Sequence, residues 1–258
     1  MTSHTPTVDI RHGSYDTALS DVKADLIFTS PPYNIGSKAP RKDGQRKFGK
    51  YDPKSYGGIT GYPDTLPEDV YQDQQEAFLL WCAQHLTKDG VLVYNHKPRR
   101  VKGELILPSE WFARPEVKKE LVLMEEITWN RKSTHNHCKQ MMWNISEKLY
   151  VFKKRGGKYP LDNAFGLPQR NDVWEINRPA STGGHACPFS TELAEAVIMA
   201  WSKEGDLVCD PYAGSCTTGV AAYDLGRNFV GSEREHEYYL LSKARVDAYI
   251  QGAEPLSA

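Results

Sequence analysis

The residues with the clearest chemical potential form a short turn after an apolar run. Residues 24–28 have the length and composition of a buried strand, and Pro31-Pro32 end it because proline has no N–H for a β-ladder. The strand is therefore expected to end at residue 28 or 29. Beyond it, a Ser30 hydroxyl, a free carbonyl and the Tyr33 ring could hold the amine of a flipped nucleobase and stack on its face. An ordinary proline turn would use the same residues, and this motif alone leaves both interpretations open.

A second motif has the order strand, glycine-bearing loop, helix, strand. An apolar run ends at Asp210, a loop with Gly214 follows, and the next strand ends at Glu233, about 20 residues beyond the loop, where nucleotide folds bind ribose hydroxyls. The spacing from Gly214 to Gly219 imitates a phosphate-binding loop, but Val220 stands where that loop needs its lysine. The dinucleotide pattern Gly-x-Gly-x-x-Gly is also missing from this loop. The second motif thus favours a nucleoside cofactor without phosphates.

Together the two motifs resemble the amino-methyltransferases of DNA, which bind S-adenosylmethionine. Ser30-Pro31-Pro32-Tyr33 matches the catalytic motif of that family, and Asp210-Pro211-Tyr212-Ala213-Gly214-Ser215 with Thr217-Thr218 matches its cofactor motif. The catalytic motif precedes the cofactor motif, which resembles the permuted order called the beta class. One departure is Cys216, which stands where the family usually has glycine.

The resemblance implies roles for individual residues. It places Ser30, Pro31, Pro32 and Tyr33 in catalysis. It places S-adenosylmethionine against Ser14, Thr29, His185, Phe189, Asp210, Pro211, Ala213, Gly214, Ser215, Thr217, Thr218 and Glu233. Serine before the two prolines is commoner in members that act on cytosine N4, so N4-methylcytosine is the expected product and N6-methyladenine the alternative. The Tyr33 ring, rather than its hydroxyl, is expected to matter for stacking.

A basic segment follows the catalytic turn. Residues 37–66 have no hydrophobic period, are longer than an ordinary connection, and are predicted to be a loop that contacts double-stranded DNA. Aromatic residues are interleaved with its cations, and those predicted to bind DNA are Lys38, Arg41, Lys42, Arg46 and Lys47. A solvated charged loop is the alternative. Smaller basic groups at 97–102, 131–132 and 153–155 are weaker candidates of the same kind.

Composition limits the class of protein. The 258 residues suffice for one α/β domain spanning 1–258, and a formal net charge of −1 argues against nonspecific coating of nucleic acid. No apolar run reaches the length of a membrane span, no signal sequence is evident, and five cysteines form no Cys-x-x-Cys pair. A cytoplasmic monomer or homodimer without a membrane or metal partner is expected, and His135-Asn136-His137-Cys138 is not interpreted as a metal site. The resemblance also allows a cognate restriction endonuclease as a partner.

The predicted fold is a single Rossmann-like α/β domain, circularly permuted, with a mostly parallel twisted sheet and helices on both faces. Strands are expected near residues 8, 26, 92, 127, 150, 208 and 230, with the strand at 147–153 antiparallel. A helix is expected at 68–86, with Val70, Ala77, Leu80, Trp81 and Leu86 largely on its buried face. A second helix is expected at 235–251, with Tyr239, Leu240, Ala244 and Ile250 as candidate buried positions. Residues 155–184 are expected to be loop-like and to hold a small target-recognition segment.

Two other functional classes fit parts of the sequence. A nicotinamide-dependent dehydrogenase would share the strand, the loop and the terminal acid, but it would not explain Ser30 to Tyr33. A noncatalytic DNA-binding protein could use the basic segment, but it would not need the apparatus from Asp210 to Glu233. Binding tests with both cofactors discriminate among the three classes.

Overall fold

A computed structural model of the chain describes residues 5–34, 66–133, 142–160, 170–177 and 190–252. The strands are β1 Val8–His12, β2 Ala24–Thr29, β3 Leu86–His96, β4 Arg99–Val101, β5 Glu104–Ile106, β6 Leu121–Asn130, β7 Ser146–Lys154, β8 Val173–Glu175, β9 Leu207–Asp210 and β10 Asn228–Glu233. The helices are α1 Tyr15–Ala18, α2 Glu68–His85, α3 Ser109–Phe112, α4 Pro115–Glu120, α5 Thr191–Trp201, α6 Thr217–Asp224 and α7 His236–Ile250.

One large sheet organises the molecule. It has eight strands in the order β1-β10-β9-β2-β3-β7-β6-β8, while β4 and β5 form a separate hairpin. Strand β7 is antiparallel to both of its neighbours, and the other pairings in the large sheet are parallel. The predicted mostly parallel α/β sheet is confirmed. Although β9 and β10 come late in the chain, they lie between β1 and β2 in space, as the permuted order requires.

Helices cover both faces of the sheet, and each face has its own hydrophobic core. One core contains residues of α5 and α6 with Val246 of α7, packed against Leu26 and Phe28. The other contains residues of α2, α3 and α4, packed against Ile27 and Leu92. Alternate residues of β2 therefore enter opposite cores, as the period of two in a strand dictates. This double burial explains why Leu26, Ile27 and Phe28 are all apolar. Within the described ranges, every helix is too short or too polar to cross a bilayer.

Local sequence signals explain several boundaries. Strand β2 ends at Thr29, just ahead of the two prolines. Helix α5 begins after Ser190, whose hydroxyl oxygen accepts a hydrogen bond of 3.1 Å from the Leu193 N–H. Strand β7 pairs antiparallel with β6, as expected for residues 147–153.

The buried faces of two helices differ from the prediction. In α2, Val70 is 40% exposed and the buried side chains are Tyr71, Gln75, Phe78, Leu79, Cys82 and Ala83. In α7, Leu240, Ala244 and Ile250 are exposed, and Ser242 and Val246 are buried instead. Both helices carry apolar side chains around much of their circumference, so the contacts with the sheet, rather than the pattern, select the buried face.

The segment predicted to be loop-like also contains an unforeseen strand. Residues 173–175 form β8, which pairs in parallel with β6. Trp174 and Ile176, the two expected anchors, are each 3% exposed. The strand is too short to show an alternating pattern, and it forms because the backbone of β6 has unpaired hydrogen-bonding groups at the edge of the sheet. A target-recognition role for this segment stays a prediction, and residues 161–169 and 178–184 lie outside the described residues.

Candidate active site

The two sequence motifs meet at one edge of the sheet. Strand β2 pairs in parallel with β9 through Leu26 with Val208 and Ile27 with Cys209, and β9 pairs in turn with β10. The catalytic turn after β2 and the cofactor loop after β9 therefore leave the carboxyl ends of adjacent strands. Glu233 ends the next strand. Open α/β sheets bind their ligands at this edge.

Asp210 shapes the cofactor loop from within. One carboxylate oxygen accepts from the Tyr212 N–H at 3.1 Å, and the other accepts from the Thr218 hydroxyl at 2.9 Å. The residue is 1% exposed, and burial raises its pKa from 3.8 to about 6. Asp210 thus connects the loop to the first turn of α6.

Glu233 closes the loop from the neighbouring strand. Its Oε2 accepts from the Gly214 N–H at 3.2 Å, and its Oε1 accepts from the Glu235 N–H at 2.8 Å. Burial raises the pKa of this carboxyl, which is 4% exposed. Gly214 has φ +51°, and a Cβ built there would meet only the Tyr212 carbonyl, at 3.9 Å. The loop is therefore open on the side of Gly214, and each Glu233 oxygen keeps a lone pair for a further donor.

The departure at Cys216 has a structural basis. Cys216 adopts the left-handed conformation with φ 61° and ψ 36°, which explains why glycine suits this position. Its side chain is fully buried, and a Cβ on Gly219 would lie 2.4 Å from the Cys216 sulfur and 2.9 Å from the Phe229 ring. The thiol fills the space that Gly219 leaves open. The loop consequently keeps its form without the usual glycine.

Further contacts hold the remaining loop residues. The Ser232 hydroxyl donates to the Pro211 carbonyl at 2.8 Å, and the Ala213 N–H donates to the Ser232 carbonyl at 3.0 Å. Arg245 of α7 donates to the Ser215 carbonyl at 2.8 Å and lies 3.4 Å from the Thr217 hydroxyl. Arg245 carries no sequence signal for this contact, because no local pattern connects helix α7 with this loop.

The catalytic turn is held by polar side chains from two other strands. The Ser30 hydroxyl donates to the Tyr33 hydroxyl oxygen at 2.7 Å. The Tyr33 hydroxyl lies 2.8 Å from Oδ1 of Asn95 in β3 and 3.2 Å from Oε2 of Glu147 in β7. Tyr33 is half-buried, while Asn95 is 1% and Glu147 is 7% exposed. Stacking by the Tyr33 ring stays a prediction, and its hydroxyl has partners that the sequence did not reveal.

Neutral and cationic groups surround the Tyr33 ring. The His96 ring centroid lies 4.5 Å from that of Tyr33, and the Lys97 Nζ lies 5.0 Å from the Tyr33 centroid. Burial lowers the pKa of His96 to about 3, so this imidazole is neutral at physiological pH. Tyr71 is hydrogen-bonded to His96 Nε2 at 2.7 Å and donates to the Pro32 carbonyl at 2.9 Å. Helix α2 thereby fixes the second proline of the turn.

A cavity lies beside both motifs. Its volume is about 260 Å³, and its lining includes Ser14, Pro32, Pro211, Tyr212 and Arg234. Ser14 immediately precedes α1, whose preceding strand β1 lies next to β10. The cavity thus connects the turn after β1 with the catalytic turn and the cofactor loop. Thr29, another predicted cofactor residue, is fully buried at the end of β2.

Comparison with known proteins gives the family. Residues 24–244, most of the chain, match the N6 and N4 methyltransferase family described as DNA methylase. The chain belongs to the DNA methylase family.

Three known proteins show the range of similarity. M.XycI, a Type II methyltransferase of Xanthomonas campestris pv. cyanopsidis, is 32% identical over 134 residues, covering 48% of this chain and 44% of that protein. The DNA adenine methyltransferase YhdJ of Escherichia coli K12 is 24% identical over 270 residues, covering 92% of this chain and 82% of YhdJ. The solved structure of the cytosine-N4-specific PvuII DNA methyltransferase has a TM-score of 0.70 at 20% identity, covering 92% of this chain and 86% of that chain. The alignment with M.XycI thus spans less than half of either chain, whereas the alignment with YhdJ spans most of both. The similarity to the PvuII enzyme shows a shared fold.

The smaller basic groups of this chain differ in their surroundings. Arg99 is 4% exposed and pairs with Glu68 at 2.6 Å, so it is not available for the phosphate contact considered for residues 97–102. Arg131 and Lys97 pair with Glu147 at 2.7 and 3.5 Å, which places them in the candidate site. The sequence analysis considered these two cations only for DNA contact, and it assigned no role to Asn95 or Glu147.

Several predicted residues cannot be placed. The predicted DNA-binding residues Lys38, Arg41, Lys42, Arg46 and Lys47 lie outside the described residues, and so does most of segment 37–66. The predicted cofactor residues His185 and Phe189 also lie outside them, as does the whole group from His135 to Cys138. Their assignments stay predictions.

Proposed function

We propose that this chain transfers a methyl group from S-adenosylmethionine to the exocyclic amino nitrogen of a base in double-stranded DNA. The observation that carries the proposal is the adjacency of β2 and β9, which brings the Ser30 hydroxyl and the cofactor loop to one edge of the sheet. Membership in the DNA methylase family favours methyl transfer over the hydride transfer of a dehydrogenase. It also favours catalysis over DNA binding alone.

The residues of the loop suit S-adenosylmethionine, which supplies a methyl group on a sulfonium sulfur when bound. Glu233 offers carboxylate acceptors of the kind that ribose hydroxyls need, and Gly214 presents an open backbone surface. Ser14, Pro32 and Pro211 line the cavity, whose volume of about 260 Å³ suits one part of a nucleoside. None of these groups supplies the lysine that a triphosphate would require.

The chemistry of the catalytic turn concerns the amine. The lone pair of an exocyclic amine is delocalised into its ring, so the nitrogen is a poor nucleophile. Acceptors at the Ser30 oxygen and the Pro31 carbonyl would take hydrogen bonds from the N–H groups, favour a pyramidal nitrogen, and free its lone pair for attack on a methyl group. The turn thereby orients and activates the base.

Cytosine N4 is the proposed target, and Ser30 is the reason. Among the resembled enzymes, serine ahead of the two prolines is commoner in those acting on cytosine N4, and the PvuII enzyme of similar fold has that specificity. The adenine methyltransferase YhdJ supports adenine N6 as the second candidate. Both bases present an N–H₂ group beside a ring nitrogen, and a serine oxygen accepts from either.

Nucleoside mass spectrometry tests the proposal. Purified protein is incubated with S-adenosylmethionine and genomic DNA from a host without DNA methylation, and the digested DNA is analysed for methylated nucleosides. The expected product is N4-methyldeoxycytidine, with Ser30→Ala nearly inactive and Ser20→Ala, at an exposed serine, unchanged. N6-methyldeoxyadenosine alone would replace the cytosine assignment, 5-methyldeoxycytidine would overturn the mechanism, and unmodified DNA would overturn the proposed function.

A further inference from the structure

A polar cluster connects the catalytic serine with a carboxylate on another strand. Ser30, Tyr33 and Glu147 form a chain of contacts of 2.7 Å and 3.2 Å, and Asn95 joins it at Tyr33 with a contact of 2.8 Å. Asn95 lies next to the end of β3, and Glu147 lies near the start of the antiparallel β7. Strand direction therefore brings both residues to the edge of the sheet from which the catalytic turn leaves.

The directions of these hydrogen bonds follow from the partners. The Asn95 Nδ2 donates to the Lys148 carbonyl at 3.1 Å, and since a carbonyl only accepts, the Asn95 oxygen must face Tyr33. The Glu147 carboxylate also only accepts. Tyr33 must therefore donate its single hydrogen toward Asn95 or Glu147, and its own oxygen is left to accept from Ser30. The single hydrogen of Ser30 is thereby committed to Tyr33.

Two cations contact the Glu147 oxygen that faces away from Tyr33. Arg131 Nη1 lies 2.7 Å and Lys97 Nζ lies 3.5 Å from Glu147 Oε1, while the other oxygen, Oε2, faces Tyr33. The Arg131 side chain is 11% and the Glu147 side chain 9% exposed, so this pair is only weakly screened by solvent. An amide in place of the Glu147 carboxylate could donate to the Tyr33 oxygen and compete there with the hydrogen of Ser30.

We propose that Glu147 and Asn95 are positioning residues that, through Tyr33, fix Ser30 as a hydrogen-bond acceptor toward the base. The inference rests on the proposed function and extends it to substrate choice. With its hydrogen committed to Tyr33, Ser30 presents lone pairs, which attract an amino group and repel the oxygen of an oxo group at the same place. The arrangement selects bases that carry an exocyclic amine. It also strengthens the acceptor, because donation to Tyr33 polarises the Ser30 oxygen.

A double-mutant cycle between Glu147 and Tyr33 tests this inference. In Glu147→Gln, the amide oxygen is expected to face Arg131, so that its NH₂ group faces Tyr33 and donates to it. Transfer of tritiated methyl groups to the methylation-free genomic DNA described above gives kcat, and calorimetry gives the affinity for S-adenosylmethionine. Glu126→Gln, at an exposed glutamate of β6 that pairs with Lys148, is the matched control.

The expected results separate positioning from a structural role. Glu147→Gln and Tyr33→Phe should each lower kcat about tenfold or more, with the cofactor affinity unchanged within about twofold. The double variant should be no slower than the slower single variant, because both changes break the same chain. If Glu147→Gln does not fold, as judged by its thermal unfolding, Asn95→Leu replaces it in the cycle.

Three outcomes would contradict the inference in different ways. A Glu147→Gln variant with wild-type kcat would show that the direction of the chain is irrelevant. Losses that multiply in the double variant would show that Glu147 acts independently of Tyr33. A wild-type protein that transfers no methyl groups to DNA would overturn the proposed function, and the inference with it.

Discussion

Replacing Asp210 with asparagine should make the protein more stable at high pH relative to the wild type. Burial raises the pKa of Asp210 from 3.8 to about 6, so the folded state binds this proton more tightly than the unfolded chain. Raising the pH from about 4 to above 6 therefore lowers the free energy of unfolding of the wild type. Asparagine does not titrate. Its oxygen can still accept from the Tyr212 N–H, and its NH₂ group can donate to Thr218.

The magnitude follows from the two pKa values. The complete shift corresponds to about 3 kcal/mol, and the part that falls between pH 5 and pH 8 is about 1.4 kcal/mol. For a domain of this size that change moves the midpoint of thermal unfolding by about 3–6 °C. The stability of Asp210→Asn relative to wild type should therefore increase by this amount when the pH is raised from 5 to 8.

Thermal and urea unfolding at both pH values, without cofactor, measure the difference. Asp172→Asn, at an exposed aspartate, is the matched control and should track the wild type at both pH values. Other titrating groups are common to both proteins and cancel in the comparison. A difference between Asp210→Asn and wild type that stays constant or shrinks as the pH rises would refute the argument from burial.

The remaining predictions concern binding. Glu233→Ala should weaken S-adenosylmethionine binding by about 1.5–3 kcal/mol, because the cofactor would lose a charged acceptor, whereas Glu237→Ala at an exposed site should not. Calorimetry measures both affinities, and unchanged binding by Glu233→Ala would remove this residue from the site. Neutralising Arg41, Lys42, Arg46 and Lys47 together should weaken DNA binding and lower its salt slope by up to about 3.6. Lys118→Gln, at an exposed lysine, is the control. An unchanged slope in binding titrations would identify the segment as a solvated charged surface.

Features with a local cause were predictable from the sequence. Proline at positions 31 and 32 cannot continue a ladder, so the end of β2 followed from chemistry within the segment itself. Helix α5 has a serine at its N-cap and a clear apolar stripe, so its extent, Thr191–Trp201, has a local explanation in its own sequence. The antiparallel direction of β7 also followed, because residues 147–153 mix charged and apolar side chains, unlike the apolar runs of parallel core strands.

Features that depend on distant partners required the tertiary structure. The surfaces against which they pack select the buried face of α2 and the position of strand β8. The hydrophobic pattern of each segment does not encode these contacts. Tyr33 shows the same limit at the candidate site. Its hydroxyl contacts residues 62 and 114 positions further along the chain, Asn95 and Glu147, because parallel β3 ends and antiparallel β7 begins at the same sheet edge. The sequence by itself determined which groups could carry the chemistry, whereas strand order and direction decided which groups surround Ser30.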